Sequence, residues 1–286
     1  MNRLAAPTSG SLRASPDSAI GPLPPPPARV HFVGVGGIGT SGLARILRAW
    51  GYTITGSDSH DSPLLAALRA EGIGATIGHT ATADAAAANL VVMTAAASPA
   101  NPEVVAARQA GRPVVKRAAL LGLLADARRG VAVAGSHGKS TTCGMLVVAL
   151  RALGADPSYA VGAVVVATGV NAAPGSGSEM VVEADEYDWS FLQLHPDVAV
   201  VTNIDYDHPD LFPDQPAYDD AFARFVAQIR PDGALVVAAD DPGCARLLAS
   251  ADAKLPARVV TFGEAPGADW RLRGAAGDWR VEAPDG

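Results

Sequence analysis

A glycine-rich loop at residues 135–141, which reads Gly-Ser-His-Gly-Lys-Ser-Thr, constrains the fold more than any other stretch of the chain. It follows the apolar residues 131–134 and precedes a stretch to about residue 153 that is predicted to be helical. Where a strand enters such a loop and a helix leaves it, the backbone binds phosphate, the lysine reaches the outer phosphates and the next hydroxyl can ligate Mg²⁺. The full motif would have glycine where Val133 stands, so we interpret residues 135–141 as a shortened phosphate loop.

A second glycine-rich turn, residues 34–39, lies between a short apolar strand at 30–33 and a predicted helix at 41–50. Glycine lets the backbone approach a phosphate closely. Asp58 follows about twenty residues later, where dinucleotide-binding folds place the carboxylate that binds a ribose hydroxyl. The turn therefore predicts a nucleotide-binding fold. On these residues alone, NAD and a UDP group both remain open as its ligand.

Strands and helices alternate along the chain, as they do in parallel α/β folds. Strands are predicted near residues 30–33, 52–55, 90–93, 113–115, 131–134, 180–183, 198–202, 234–238 and 258–262. A chain of 286 residues, 49% of them hydrophobic, is large enough for two domains. We predict a disordered proline-rich tail at residues 1–28, a Rossmann-like parallel-sheet domain at 29–127, and a P-loop-type α/β ATPase domain at 128–286.

Two polar stretches follow predicted strands of the second domain. Glu183 ends one strand and opens the run Glu-Ala-Asp-Glu-Tyr-Asp, and residues 203–208, Asn-Ile-Asp-Tyr-Asp-His, follow the next strand. Because open α/β sheets bind ligands at the carboxyl ends of their strands, we expect Glu183 and His208 to lie beside the phosphate loop. Mg²⁺ prefers carboxylate oxygens and phosphates as ligands, so the sequence predicts a magnesium site there.

Composition excludes several classes of protein. The net charge of −7 gives no basic surface for nucleic acid, and no apolar run approaches the roughly 18 residues of a membrane span. The N-terminus lacks the apolar region of a signal peptide. Cys143 and Cys244 lie far apart in no metal-ligand spacing, which favours a reducing compartment. We expect a cytoplasmic protein with no membrane span and no nucleic-acid partner.

Together these motifs resemble those of the Mur ligase family, in particular its alanine-adding branch. The matching stretches are residues 30–42, 135–142, 169–172, 183–192 and 203–210, in the family's order. The resemblance implies an ATP- and Mg²⁺-dependent amide-forming ligase of peptidoglycan precursor synthesis. Such an enzyme phosphorylates the carboxylate of UDP-N-acetylmuramate to an acyl phosphate and joins it to L-alanine.

The resemblance also implies roles for individual residues. Lys139, Glu183 and His208 would be catalytic, with Lys139 holding the transferred phosphoryl group. Ser140 and Glu183 would ligate one Mg²⁺, and His208 would help to ligate a second metal. The ATP phosphates would contact Gly135, Ser136, His137, Gly138, Lys139, Ser140 and Thr141. The UDP-sugar would contact Gly34, Gly36, Gly37, Gly39, Ser41 and Asp58.

Family members continue into a third Rossmann-like domain that residues 1–286 do not include. The resemblance therefore implies a C-terminally incomplete ligase, inactive alone, which a separate chain carrying that domain would complete. Two alternatives stay open, a ligase that joins a murein tripeptide to the same UDP-sugar and a non-catalytic UDP-sugar-binding protein. A dinucleotide-dependent oxidoreductase would leave the phosphate loop and the acidic run without a role.

Overall fold

The first part of the chain forms a sheet of five parallel strands in a computed structural model that describes residues 21–250, 253–275 and 277–284. The strands are β1 (Arg29–Val33), β2 (Thr53–Asp58), β3 (Gly74–Ile77), β4 (Leu90–Met93) and β5 (Val114–Lys116). Their order is β3-β2-β1-β4-β5. The four helices between them are α1 (Ile38–Ala49), α2 (Pro63–Ala70), α3 (Thr82–Ala87) and α4 (Pro102–Gln109). The predicted parallel α/β class is thereby confirmed for this part.

The second sheet has nine strands with a parallel centre. They are β6 (Arg129–Ala134), β7 (Ser158–Val165), β8 (Val170–Ala173), β9 (Glu179–Glu183), β10 (Val198–Val201), β11 (Ala234–Ala238), β12 (Arg258–Gly263), β13 (Trp270–Ala275) and β14 (Asp278–Glu282). Their order is β14-β13-β12-β11-β10-β6-β9-β7-β8, and only the edge strands β8 and β14 pair antiparallel. The chain adds strands first on one side of β6 and then on the other, which makes β6 the switch point of the sheet. Ligands of open α/β sheets bind at the carboxyl ends of the strands at such a point.

Helices cover the second sheet and connect it to the first. They are α5 (Arg117–Asp126), α6 (Lys139–Ala152), α7 (Gln215–Val226) and α8 (Pro242–Ala249), with a 3₁₀ helix at Tyr187–Gln193. The sequence patterns did not predict β3, α3, α5, β7 or β8. Helix α5 joins the two sheets, and its Gly122 packs against the backbone carbonyl of Gln193 too closely for any side chain.

Four of the helices begin with the same local signal, a capping side chain followed by proline in the first turn. Ser62, Asn101, Asp214 and Asp241 each accept a hydrogen bond from a backbone N–H of the helix that follows. Such a cap satisfies one of the N–H groups that a helix leaves free at its start, and proline fits there because it has no N–H to lose. These helix starts are therefore encoded locally in the sequence.

Part of the predicted proline-rich tail contacts the first domain. Leu23 contacts the apolar core, Ala28 is buried, and the Tyr52 hydroxyl donates a hydrogen bond of 2.6 Å to the Pro24 carbonyl. These three residues therefore bury apolar surface and satisfy a polar group of the domain. Residues 1–20 of that predicted tail lie outside the described residues.

One continuous apolar core spans both sheets. It includes Val30 and Leu47 of the first unit, Leu120 of α5, and Val182 and Phe222 of the second. Within the described ranges no third domain is present, and no helix is long and apolar enough to cross a membrane. The two units therefore form one packed scaffold on which the two glycine-rich loops are held.

Candidate functional site

The loop at residues 135–141 follows β6 and leads into α6, as the sequence predicted. Gly138 caps the helix in a left-handed conformation, with φ of 82°. The backbone N–H groups of residues 138–141 have no hydrogen-bond partner among the residues that the structure describes. A helix N-terminus with free N–H groups carries a partial positive charge. These four donors can therefore bind the oxygens of a phosphate chain.

The shape of this loop depends on Asn203 and on one glycine. The Asn203 side chain accepts a hydrogen bond from the His137 N–H and donates one to the His137 carbonyl, both of 2.9 Å. Gly135 has a φ of 138°, and a Cβ atom there would overlap the Thr202 hydroxyl. The His137 side chain is exposed. His137 therefore takes part through its backbone, and Asn203 fixes the loop from the end of β10.

Lys139 is held inside the loop by three acceptors. Its Nζ donates to the Gly135 carbonyl at 2.6 Å, to the Ser136 carbonyl at 3.3 Å, and to Glu186 Oε2 at 2.8 Å. A lysine ammonium has three donors and no acceptor. All three donors therefore have an acceptor within the protein.

Glu186 is the fully buried carboxylate that pairs with Lys139. Its Oε1 accepts a hydrogen bond of 3.1 Å from the Tyr218 hydroxyl, and His208 Nε2 lies 3.6 Å from the same oxygen. Burial, with the nearby charge of Glu186, raises the pKa of Tyr218, so this hydroxyl stays protonated as a donor. Tyr218 Oη also lies 2.9 Å from Ser136 Oγ, so this side chain packs between Glu186 and the phosphate loop.

Ser140 and Glu183 meet on the other side of the loop. The Ser140 hydroxyl donates to Glu183 Oε2 at 2.8 Å, and the Gly162 N–H donates to the same oxygen at 2.7 Å. Glu183 is only partly buried and faces a cleft. A hydroxyl and a carboxylate beside free phosphate-binding N–H groups suit Mg²⁺, which takes one or two protein oxygens together with phosphate oxygens.

His208 lies closer to Glu186 than to the predicted magnesium ligands. Besides Glu186, its Nε2 lies 3.9 Å from Asp207 Oδ2, and its ring stands edge-on to Tyr187 with the centroids 5.3 Å apart. Its φ of 56° is unusual for a residue other than glycine. Among the described residues no group of three or more histidine, cysteine, aspartate or glutamate side chains forms a ready metal site. His208 therefore lies beside the Lys139–Glu186 pair.

The first glycine-rich turn also follows a strand and opens a helix. Gly34 has a φ of 87°, and the Gly36 N–H donates to Asp58 Oδ2 at 2.9 Å. Thr40 Oγ1 donates to the Gly34 carbonyl at 2.7 Å, which ties the turn to α1. Asp58 thus stabilises the turn through Gly36. A Cβ atom at Gly36 would lie 2.8 Å from that carboxylate, which explains the glycine.

Two backbone donors remain free at this turn. The N–H groups of Ile38 and Gly39 have no partner in the part of the chain that the structure describes. Gly37 caps α1. Ser41 is buried, and its hydroxyl donates a hydrogen bond of 3.1 Å to the Ile38 carbonyl. Two adjacent N–H groups at a helix start suit the oxygens of one pyrophosphate.

A cleft lies between the two units of the structure. Gly39 of the first turn lines it, and so does Glu183, which bonds Ser140 of the phosphate loop. Helix α1 packs tightly onto β8 next to the cleft, since a Cβ atom on Gly42 would lie 2.5 Å from that of Ala172. The cleft thus extends from the first glycine-rich turn to the carboxylate that bonds the phosphate loop.

Three residues at these sites escaped the sequence analysis as individual candidates. Arg117 lines the cleft with its side chain against Gly39 and has no ion-pair partner among the described residues. Glu186 lay in the predicted acidic run, but its spacing did not show that it, rather than Glu183, contacts Lys139. Tyr218 lies on α7 far along the chain, and no local signal points to it.

Comparisons with known proteins agree with this arrangement. The family model described as Mur ligase family, catalytic domain, matches residues 29–129, and the one described as Mur ligase middle domain matches residues 133–279. The chain is 48% identical over 274 residues to the UDP-N-acetylmuramate–L-alanine ligase of Mycolicibacterium gilvum, with 92% of this chain and 58% of that protein covered. For the ligase of the same name from Frankia casuarinae, the identity is 46%, and 88% and 51% are covered. The chain thus spans about half the length of the curated relatives it matches.

Solved structures show the same fold. A UDP-N-acetylmuramate:L-alanyl-γ-D-glutamyl-meso-diaminopimelate ligase from Neisseria meningitides superposes with a TM-score of 0.75 at 27% identity, with 90% of this chain and 84% of that one covered. The UDP-N-acetylmuramate-alanine ligase of Thermotoga maritima gives a TM-score of 0.66 at 28% identity, with 86% and 55% covered. The sequence motifs, the two-sheet architecture and these matches lead to one conclusion: the chain belongs to the Mur ligase family.

Proposed function

We propose that this chain carries the UDP-sugar site and the ATP site of a cytoplasmic ligase that joins L-alanine to UDP-N-acetylmuramate. The relatives from Mycolicibacterium gilvum and Frankia casuarinae bear that name. The two free cysteines, both buried, are consistent with a reducing compartment. The free N–H groups at the two loops support the two nucleotide sites.

The observation that carries the proposal is one cleft lined both by Gly39 of the first loop and by Glu183, which bonds Ser140 of the second. A sugar nucleotide with its pyrophosphate at the Ile38 and Gly39 N–H groups would extend along the cleft towards Glu183. ATP phosphates at residues 138–141 would approach from the other loop. A carboxylate on the sugar and the outer phosphate of ATP would then meet beside Ser140 and Glu183.

The proposed reaction has two steps. A carboxylate oxygen of the sugar attacks the γ-phosphorus of ATP, the bond from that phosphorus to the β,γ-bridging oxygen breaks, and ADP leaves. The amine of L-alanine then attacks the carbonyl carbon of the acyl phosphate, inorganic phosphate leaves, and the nitrogen loses a proton. The chain contributes positioning and charge, with Lys139 and the four N–H groups of residues 138–141 on the transferred phosphoryl group.

Mg²⁺, when bound, would neutralise charge on the phosphates. Ser140 and Glu183 suit it because they present two oxygens at 2.8 Å from each other next to the free N–H groups. We propose His208 as a ligand of a second metal. Its ring already lies beside the phosphate loop through Glu186.

A second candidate is a ligase that joins a murein tripeptide to the same sugar nucleotide. It is favoured by the TM-score of 0.75 with the Neisseria ligase, whose name includes that peptide. Both candidates share the two loops and the cleft and differ in the amine that attacks the acyl phosphate. Mass spectrometry of the product formed with ATP, UDP-N-acetylmuramate and either amine separates them, in a reaction that also contains a chain carrying the third domain.

Calorimetric titration of the 286-residue chain tests the shared part of the proposal. We expect one site for UDP-N-acetylmuramate and one for Mg–ATP, each still available when the other is saturated. UDP-N-acetylglucosamine, which lacks the carboxylate, serves as the matched ligand control, and NADH tests for a dinucleotide site. Competition between the sugar nucleotide and ATP for one site, or binding of NADH alone, would contradict the proposal.

A further inference from the structure

The contacts of Lys139 raise a question that the proposed reaction does not answer, namely how this lysine becomes available to a phosphate. Two of its three donors bind carbonyls of the loop itself, and the third binds Glu186. If the lysine released either carbonyl, the loop would lose a hydrogen bond that holds its shape. A phosphate that approaches Nζ must therefore share the ammonium with Glu186 or replace it.

Glu186 cannot easily turn away. Its side chain is fully buried, and its second oxygen accepts the Tyr218 hydroxyl and faces His208. Tyr218 Oη lies 2.9 Å from Ser136 Oγ, and the Ser136 hydroxyl donates to the Asp205 carbonyl at 2.6 Å. Moving the carboxylate would leave buried polar groups unpaired, which is costly. The negative charge of Glu186 therefore stays beside Lys139 while a ligand binds.

We propose that Glu186 is a positioning residue that restricts the phosphate loop to metal-bound nucleotide. This inference rests on the proposed ATP site. A metal-free triphosphate carries several negative charges and would meet a lysine whose charge Glu186 already balances. The same triphosphate with Mg²⁺ at Ser140 and Glu183 carries less net charge, so its oxygens can share the ammonium with Glu186. Loss of the Glu186 charge should remove this selectivity.

Glu183 and Glu186 thus have different roles although they lie three residues apart. Glu183 faces the cleft and bonds Ser140, where a cation fits. Glu186 is buried and bonds Lys139. Glu183 would bind the metal, and Glu186 would make nucleotide binding by the loop depend on that metal.

The experiment compares ATP and inorganic tripolyphosphate binding to the 286-residue chain in excess Mg²⁺ and in excess EDTA, by calorimetry at low ionic strength. For the unsubstituted chain we expect binding to weaken at least about tenfold when the metal is removed. In Glu186→Gln, which keeps an oxygen acceptor for Lys139, we expect metal-free affinity to rise about tenfold, the worth of one charge-assisted hydrogen bond. Affinity with Mg²⁺ should change much less, so the ratio between the two conditions shrinks.

One control variant separates this role from a general effect of charge. Asp185→Asn removes a neighbouring exposed carboxylate whose side chain accepts, among the described residues, only the Tyr187 N–H. It should keep the metal dependence of the unsubstituted chain, because it does not change the charge that Lys139 meets.

Three outcomes would overturn the inference. The unsubstituted chain could bind metal-free and Mg²⁺-bound ATP equally well, a result that needs no variant to fold. Glu186→Gln could weaken both forms alike, which would indicate a merely structural role. Asp185→Asn could reproduce the effect, which would indicate bulk charge. If no form of ATP or tripolyphosphate binds even with Mg²⁺, the proposed ATP site itself fails and the inference fails with it.

Discussion

The two glycine-rich loops use the same strand–loop–helix geometry but differ in where they place charge. In the first, Asp58 accepts the Gly36 N–H, and the Ile38 and Gly39 N–H groups have no partner within the described ranges. In the second, four consecutive N–H groups have none among those same residues, and Lys139 lies within the loop. A carboxylate supports the first loop, and a lysine with its own counter-ion, Glu186, supports the second.

This difference fits the two nucleotides of the proposed function. Backbone N–H groups alone suit a pyrophosphate that is bound and then left intact. A phosphoryl group that is transferred develops charge that must be stabilised, and a lysine and a metal provide that. We therefore propose that the first loop binds the UDP-sugar and that the second takes part in phosphoryl transfer. The following substitutions test that division.

Lys139→Met should have the largest effect. We expect Mg–ATP affinity to fall about a hundredfold, since a charge-assisted contact is lost and Glu186 is left buried without its partner. UDP-N-acetylmuramate affinity should stay within about twofold, because the first loop does not contact this lysine. Calorimetry measures both. Lys116→Met, at an exposed lysine without a partner among the described residues, is the matched control. An unchanged ATP affinity in Lys139→Met would show that this lysine does not contact the ATP phosphates.

Ser140→Ala should have an intermediate effect. Removing the hydroxyl that bonds Glu183 deletes one oxygen from the magnesium site, so Mg–ATP binding should weaken about tenfold while metal-free ATP binding barely changes. Titrations in Mg²⁺ and in EDTA supply the comparison, and Ser140→Thr, which keeps the hydroxyl, should bind as the unsubstituted chain does. Equal weakening in both conditions would show that Ser140 contacts ATP without a metal.

Asp58→Ala should have the smallest effect and act on the other loop. Loss of the Gly36 contact should loosen the first turn and weaken UDP-N-acetylmuramate binding about fivefold, near the worth of one hydrogen bond. Asp58→Asn keeps an acceptor for the Gly36 N–H, so its affinity for UDP-N-acetylmuramate should be close to that of the unsubstituted chain. Mg–ATP affinity should not change in either variant. If both variants lose binding equally, the carboxylate contacts the ligand directly, as the ribose interpretation predicts.

Local sequence signals predicted the positions of both loops well. Glycine between an apolar strand and a helix fixes such a turn because the required φ angles, 87° at Gly34 and 138° at Gly135, disfavour other residues. The contact between Ser140 and Glu183 reflects the order of the strands. Strand β6 leads into the loop that carries Ser140, strand β9 ends at Glu183, and the two strands are parallel neighbours. Such features depend on neighbouring residues or on the ends of strands, so they can be predicted from the sequence.

Other features depend on packing that the sequence pattern does not express. Strand β3 lies at a sheet edge, and three of its four residues are exposed, so it lacks an apolar run. Helix α5 is apolar on several faces because both sheets contact it, which hides helical periodicity. The choice of Glu186 as the partner of Lys139 depends on the 3₁₀ turn that begins at Tyr187 and on Tyr218 of α7. Contacts of this kind appear only once the chain is folded.

The most direct test of the two-loop account is a crystal structure of the chain with UDP-N-acetylmuramate, Mg²⁺ and a non-hydrolysable ATP analogue. The account predicts the UDP pyrophosphate within hydrogen-bond distance of the Ile38 and Gly39 N–H groups, and the analogue's phosphates on residues 138–141 beside Lys139. The sugar carboxylate should lie in the cleft near Glu183. A UDP group on the second loop, or the analogue's phosphates on the first, would contradict it.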